Sequence, residues 1–170
     1  MIEAIELWCD GGLMGRNPSR LGGTWCYCHV KTGERIGYQA GLILPRKHVE
    51  ADSVTNNVAE LVAALRALAS VPEDWDGVIN TDSRITLLRI TKGMAPHTPG
   101  VPEDLRQEFL QLHRTRRWRA VLVAGHPNKK ELARGYRLRN GLPASKHNVF
   151  CDEECQRLAR VFLTTNCSKV

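Results

Sequence analysis

Trp8-Cys9-Asp10-Gly11-Gly12 lies near the start of the chain and sets the frame for everything after it. Ile5, Leu7 and Cys9 alternate with Glu6, Trp8 and Asp10, which is the period of a β-strand, and the alternation stops at the two glycines. It predicts a strand over residues 2–10 that delivers Asp10 to its carboxyl end and then turns. Three other stretches put a carboxylate beside a structural break: Thr55-Asn56-Asn57-Val58-Ala59-Glu60, Asn80-Thr81-Asp82-Ser83 and Asn148-Val149-Phe150-Cys151-Asp152. One acidic residue after a strand is most often a turn residue. Four in such contexts, in this chain order, predict that Asp10, Glu60, Asp82 and Asp152 meet in space and bind divalent metal.

The neighbouring segments extend this frame. Residues 24–30 and 35–44 carry aromatic and β-branched residues on either side of the Lys31-Thr32-Gly33-Glu34 turn, so the first three strands are expected to form an antiparallel meander. Residues 56–70 are rich in Ala and Leu and are followed by Pro72, which predicts a helix capped by Thr55 or Asn56. A short strand over 78–81 and a helix over 83–91 follow, then a loop over 92–101. A third helix begins at Pro102-Glu103-Asp104, acidic in its first turn as the helix dipole favours, and runs to about Thr115. A fifth strand over 118–124, a long polar segment over 125–147 and a last helix starting near Cys151 complete the chain. The order β-β-β-α-β-α-α-β-α predicts an α/β fold with a mixed sheet and helices on both faces. In such sheets sites form outside the carboxyl ends of strands. If strands one and four are neighbours, Asp10 and Asp82 lie side by side and require a counter-ion.

The 170 residues suit one domain, with no repeat or linker dividing it. The 24 basic against 18 acidic residues give a net charge of +6, which favours a polyanionic partner. No apolar run is long enough to span a membrane, and Met1-Ile2-Glu3 lacks the basic start and apolar core of a signal peptide, so a cytoplasmic protein is expected. The six cysteines are then reduced. Cys26 with Cys28, and Cys151 with Cys155, lack the knuckle spacing of structural zinc sites and read as small buried hydrophobes.

In this order the motifs resemble those of the type 1 ribonucleases H: Asp10-Gly11, Asn56-Asn57-Val58-Ala59-Glu60, Thr81-Asp82-Ser83, Gly125-His126 and Asn148-Val149-Phe150-Cys151-Asp152. The resemblance spans residues 2–162. It implies a three-layer fold whose five-stranded mixed sheet has strands one to three antiparallel, then strands four and five parallel. It also implies endonucleolytic hydrolysis of the RNA strand of RNA–DNA hybrids, leaving 5′-phosphate and 3′-hydroxyl ends. The carboxylates would hold two Mg²⁺ ions, with Mn²⁺ able to substitute, and these residue types suit such hard cations. His126 matches the family's loop histidine through its Val123-Ala124-Gly125-His126 context, and His147 is the competitor. Gly11, Gly12, Asn56 and Asn57 match positions that read the 2′-hydroxyl of RNA. Thr55 and Asn17 match positions holding a phosphate of the DNA strand, Arg84 stands where the family often has Gln, and Asn148 opens the last motif. Helix-cap and turn roles for Thr55, Asn56 and Asn17 can coexist with binding.

The pattern departs from the family in three places. The glycine-rich loop has an extra residue around Arg16. No basic, Trp-rich handle follows the second helix. The segment of about 127–147 is a long basic insertion, with Lys129, Lys130, Arg134, Arg137, Arg139 and Lys146 against Glu131 alone. Lys129, Lys130, Arg134 and Arg137 are candidate contacts to nucleic-acid backbone, and the alternative is a solvated surface insertion. The Arg114, Arg116, Arg117 and Arg119 cluster around Trp118 reads as structural.

Two other functions are compatible with the fold. A DNA-directed nuclease, of the junction-resolvase or transposase-like kind, would lack a use for the Asn-Asn-x-x-Glu element. A non-catalytic hybrid-binding module would not need all of the carboxylates. The chain begins almost directly at its first strand, which sets the expectation of a single stand-alone catalytic domain over 1–170, monomeric and without an obligate protein partner. It would act on RNA–DNA hybrid in a cytosol, or in a host cytosol or nucleoid if of phage origin.

Overall fold

The computed structural model describes residues 5–167, with the side chain of Cys167 excluded; the start of the first expected strand, at 2–4, lies outside the described residues. Five strands form one sheet: β1 (Glu6–Leu13), β2 (Gly23–Lys31), β3 (Glu34–Ile43), β4 (Val78–Thr81) and β5 (Arg119–Leu122), in the spatial order β3-β2-β1-β4-β5. The β1–β2 and β2–β3 pairs are antiparallel, whereas β1–β4 and β4–β5 are parallel. The helices are α1 (Asn56–Ala69), α2 (Arg84–Thr91), α3 (Glu103–Arg114), α4 (Lys129–Arg134) and α5 (Lys146–Cys167).

Strand alternation sorts the sheet into two faces. Leu7, Cys9 and Ile79 join Leu61, Leu65 and Leu68 of α1 and Phe109 of α3 in the larger core. Trp8, Cys26, Cys28 and Val30 pack with Cys151 and Cys155 of α5 on the opposite face. The described cysteine side chains are thus buried free thiols, and none belongs to a metal-ligating group of three among the described residues. Arg116 belongs to the structure in the same sense: its guanidinium lies over Trp118 and donates to the Thr91 carbonyl at 2.7 Å. Among the described residues no helix is long and apolar enough to cross a membrane.

Several expected boundaries change. β1 does not end at Asp10 but continues through Gly11 and Gly12 to Leu13, paired with Trp25, Thr24 and Gly23 of β2. Glycine here marks close approach of another backbone, not a turn. A Cβ on Gly11 would sit 2.3 Å from the backbone of Ala59 and Glu60 in α1. The loop expected over 92–101 contains one turn of 3-10 helix at Ala95–His97. The polar segment expected over 125–147 holds α4, and α5 begins at Lys146, ahead of Cys151. Ser145 starts α5 by accepting from the His147 amide at 3.2 Å.

Candidate active site

The parallel register of β1 on β4 ends at Trp8↔Asn80. Asp10 and Asp82 each lie two residues beyond that pair, so they leave the sheet on the same side of neighbouring strands. Asp10 is held in β1 opposite Cys26, and β4 ends one residue before Asp82. α1 brings in Glu60. Its start is fixed by Thr55, whose Oγ1 accepts from the Val58 amide at 3.3 Å. Because Gly11 has no side chain, the first turn of α1 lies directly on β1, and Glu60 reaches the end of the sheet.

Asp10, Glu60 and Asp82 each offer a carboxylate oxygen, and these oxygens all lie within 4.8 Å of one another. Asp152, on the second turn of α5, borders the same cleft of about 410 Å³ but is not part of that tight group. Its carboxylate accepts from Gln156 Nε2 at 3.0 Å, and its Oδ2 lies 3.1 Å from His126 Nδ1. Burial pushes the Asp10 carboxyl well above the usual carboxylate range, and the charges of Glu60, Asp82 and Asp152 push it further. Burial and the Asp82 charge raise Glu60 to about 8. Burial also raises Asp82, while Asn148 and His126 oppose the shift. The Oε2 atom of Glu60 is buried without a hydrogen-bond partner. Crowded carboxylates with an orphaned oxygen and only hard oxygen donors suit a divalent cation of the magnesium type.

The remaining expected residues fall into groups. Gly11, Gly12, Asn56 and His126 line the cleft. Asn57 is exposed on the same turn of α1 but does not line it. Asn17 Oδ1 accepts from the Asn56 amide at 3.3 Å, which fastens the glycine-rich loop to the start of α1. Asn148 is buried and donates to Asp82 Oδ2 at 3.4 Å, so the first turn of α5 touches the end of β4. Arg84 is exposed at the first turn of α2, away from the cleft lining. Lys129, Lys130 and Arg134 are exposed on α4. Arg137 is instead half-buried, with its guanidinium donating to the Gly125 carbonyl.

The two histidines separate clearly. His126 is exposed and faces Asp152, whereas His147 is buried beside the Trp8 ring with Nε2 3.0 Å from the Gly33 carbonyl oxygen. His147 therefore ties α5 to the β2–β3 turn and does not reach the cleft. Sequence reasoning missed Gln156 and Arg160, which line the cleft from α5. Their spacing from Asp152, one and two helical turns on, is the signal that finds them.

No protein-family model matches the chain. Among curated proteins, Ribonuclease H of Enterobacter sp. (strain 638) is 32% identical over 152 residues, covering 79% of this chain and 89% of its own. Ribonuclease H of Geotalea uraniireducens (strain Rf4) is 27% identical over 168 residues, covering 93% of this chain and 95% of its own. Among solved structures, the N-terminal RNase H domain of a Mycobacterium tuberculosis protein, fused to maltose-binding protein, matches with a TM-score of 0.56 at 16% identity, covering 96% of this chain and 99% of that one. The solution structure of the PFV RNase H domain matches with a TM-score of 0.59 at 11% identity, covering 95% of this chain and 97% of that one. The sheet order and the acidic cleft define a ribonuclease H-like fold. The chain belongs to the ribonuclease H family.

Proposed function

We propose that the protein hydrolyses the RNA strand of RNA–DNA hybrids, with Asp10, Glu60, Asp82 and Asp152 holding two Mg²⁺ ions, and releases 5′-phosphate and 3′-hydroxyl ends. The observation that carries this reading is the convergence of Asp10, Glu60 and Asp82 within 4.8 Å in a cleft, in a chain of this family. Divalent ions held by Asp10, Glu60, Asp82 and Asp152 would supply a water of lowered pKa and neutralise charge on the departing 3′ oxygen. The residues of the chain do the rest. Asp10 and Glu60 are fixed by the sheet and by α1, so the site is preorganised before substrate arrives. Asn148 steadies the Asp82 carboxylate. His126, solvent-exposed and 3.1 Å from Asp152, is the candidate group for carrying a proton between the cleft and bulk water.

Discrimination of RNA from DNA needs groups that can bond a 2′-hydroxyl. Gly11, Gly12 and Asn56 border the cleft beside the carboxylates and are the candidates for that contact. Exposed Lys129, Lys130 and Arg134 are candidates for contact with phosphates outside the cleft. We further propose that the chain works as one catalytic domain, as a monomer in the cytosol, with the hybrid as its partner.

The test is cleavage of a labelled RNA–DNA hybrid in Mg²⁺, beside single-stranded RNA, duplex RNA, duplex DNA and DNA junctions, by wild type and Asp82→Asn. Hybrid-only cutting that disappears in the variant and in chelator is the expected result. Cutting of DNA junctions with the hybrid left intact would move the assignment to a DNA-directed nuclease. Binding of hybrid without any cutting would reduce the protein to a binding module.

A further inference from the structure

His126 sits in the left-handed backbone region, at φ 48°, with 75% of its side chain exposed. A non-glycine residue is found there when its surroundings impose the conformation. The packing of its own side chain is too slight to do so. The flanking backbone is held from both directions. On one side, Arg137 donates to the Gly125 carbonyl. On the other, the Asn128 amide donates to Glu131 Oε2 at 3.0 Å, and Asn128 Oδ1 accepts from the Lys130 and Glu131 amides at 3.0 Å each. Glu131 is buried, and its Oε1 lies 3.8 Å from Arg137 Nε, so one ion pair joins the two sides. The segment carrying Arg137 is itself anchored. Its amide donates to the Leu142 carbonyl at 2.8 Å, and the Ala124 amide donates to the Pro143 carbonyl at 2.8 Å. Gly125 lies so close to Asp82 that a Cβ there would meet Oδ2 at 2.5 Å. The turn is therefore pressed onto the acidic cleft while α4 and Arg137 fix both of its ends.

We propose that Arg137 and Glu131 are positioning residues, and that the basic insertion serves, through this ion pair, as a bracket presetting His126 against Asp152. This rests on the functional reading above and gives Arg137 a role different from that of the exposed cations on α4. The bracket leaves the insertion with two parts: an outward face carrying Lys129, Lys130 and Arg134, and a clasp in which exposed Asn128 caps α4 while buried Glu131 pairs with half-buried Arg137.

The test compares hybrid cleavage by wild type, Arg137→Met and Arg137→Lys, each with His126 intact and with His126→Ala. Arg137→Met should lower kcat roughly tenfold while KM stays within about twofold, because displaced geometry reduces turnover before it reduces binding. In the His126→Ala background the same change should cost nothing further, since it acts through the histidine. Arg137→Lys should recover part of kcat, keeping one cationic donor near the Gly125 carbonyl. A rise in KM with kcat preserved would make Arg137 a nucleic-acid contact and overturn the proposal, as would full additivity with His126→Ala. Amide hydrogen exchange gives a readout independent of cleavage. Arg137→Met should speed exchange at Asn128 by roughly tenfold or more, through local opening, with Val123 in the sheet-end hydrogen bond to Thr81 unchanged. Unaltered exchange at Asn128 would refute the bracket, whereas a wild type that leaves hybrid uncut would refute the functional reading alone.

Discussion

Asp10, Glu60 and Asp82 crowd three carboxylates together in the cleft, the first two buried and Asp82 half-buried, and the folded protein carries their repulsion when they are ionised. Asp10 is 5% exposed, and both burial and its neighbours favour its neutral form. Replacing it with Asn removes the cost of ionising a buried carboxyl among like charges, without changing shape much. Asp10→Asn should therefore melt at a higher temperature than wild type in chelator at pH 8, while hybrid cleavage falls at least about a hundredfold, because several kcal/mol of transition-state stabilisation by the metal site is lost. Thermal melts and single-turnover cleavage of the same preparations check the pair. A variant that is both inactive and less stable than wild type in chelator would show that Asp10 serves folding rather than a metal site. The convergence of Asp10, Glu60 and Asp82 is legible in the sequence because each lies in a motif with its own structural context, whereas the place of Asp152 outside that tight group is not. The sequence favours His126 over His147 through its Val123-Ala124-Gly125-His126 context, but it leaves His147 standing as a competitor beside the Asn148 motif. Only the buried contact of His147 with Gly33 removes it from the cleft.

Element boundaries are legible where periodicity and capping agree, as for α1, and are lost where a local signal is hidden within polar sequence. α4 is such a case: Asn128-Lys129-Lys130-Glu131 is a complete capping box, and Gly135, at φ 78°, ends the helix in the left-handed conformation. Those signals are present in the sequence, but six helical residues without an apolar stripe do not announce themselves by periodicity. Gly11 shows the converse, since its glycine looks like a turn yet serves contact between β1 and α1. Gly11→Ala should destabilise the protein by about 1–3 kcal/mol or more, as forced overpacking does, and lower cleavage by displacing Glu60 from Asp10. Denaturant titration and cleavage kinetics measure both; an unchanged midpoint would mean that α1 shifts freely, against the close approach of Ala59. On α4, changing Lys129, Lys130 and Arg134 to Gln should raise KM and lower the slope of log KM against log salt by roughly 0.9 for each phosphate no longer neutralised. An unchanged salt slope would leave these residues as solvated surface.

Across the whole molecule, the sheet brings motifs far apart in sequence to one end, and that arrangement couples stability to protons and to metal. The parallel pairing of β1 with β4 is the step the sequence leaves conditional, because an α1 crossover permits it but cannot name the neighbour. Once that pairing exists, the folded state holds protons on the cleft carboxylates at pH values where the unfolded chain has released them. Burial and the Asp82 charge push Glu60 up to about 8 from the 4.5 of an ordinary glutamate, and Asp10 and Asp82 are raised in the same direction. For carboxyl groups raised in this way the folded state binds more protons than the unfolded state, so stability falls as pH rises. The favourable contribution is fully present below the unfolded pKa and is lost through the window from about 4.5 to about 8. A divalent cation binds the deprotonated form, so its stabilisation should grow through the same window. In chelator, the contribution of these groups should make Tm decline from pH 5.5 to pH 8, and Asp10→Asn should flatten that decline. Mg²⁺ at about a hundred times its dissociation constant should raise Tm at pH 8 by on the order of 5–10 °C, the shift expected for a stabilisation of roughly 2.7 kcal/mol in a domain of this size. At pH 5.5 the cation must displace protons from the same oxygens, so the shift at equal Mg²⁺ should be smaller. Melts in chelator and in Mg²⁺ at both pH values decide the matter. A magnesium effect equal at the two pH values, or one that survives in Asp10→Asn, would place the bound cation somewhere other than the cleft formed by Asp10, Glu60 and Asp82.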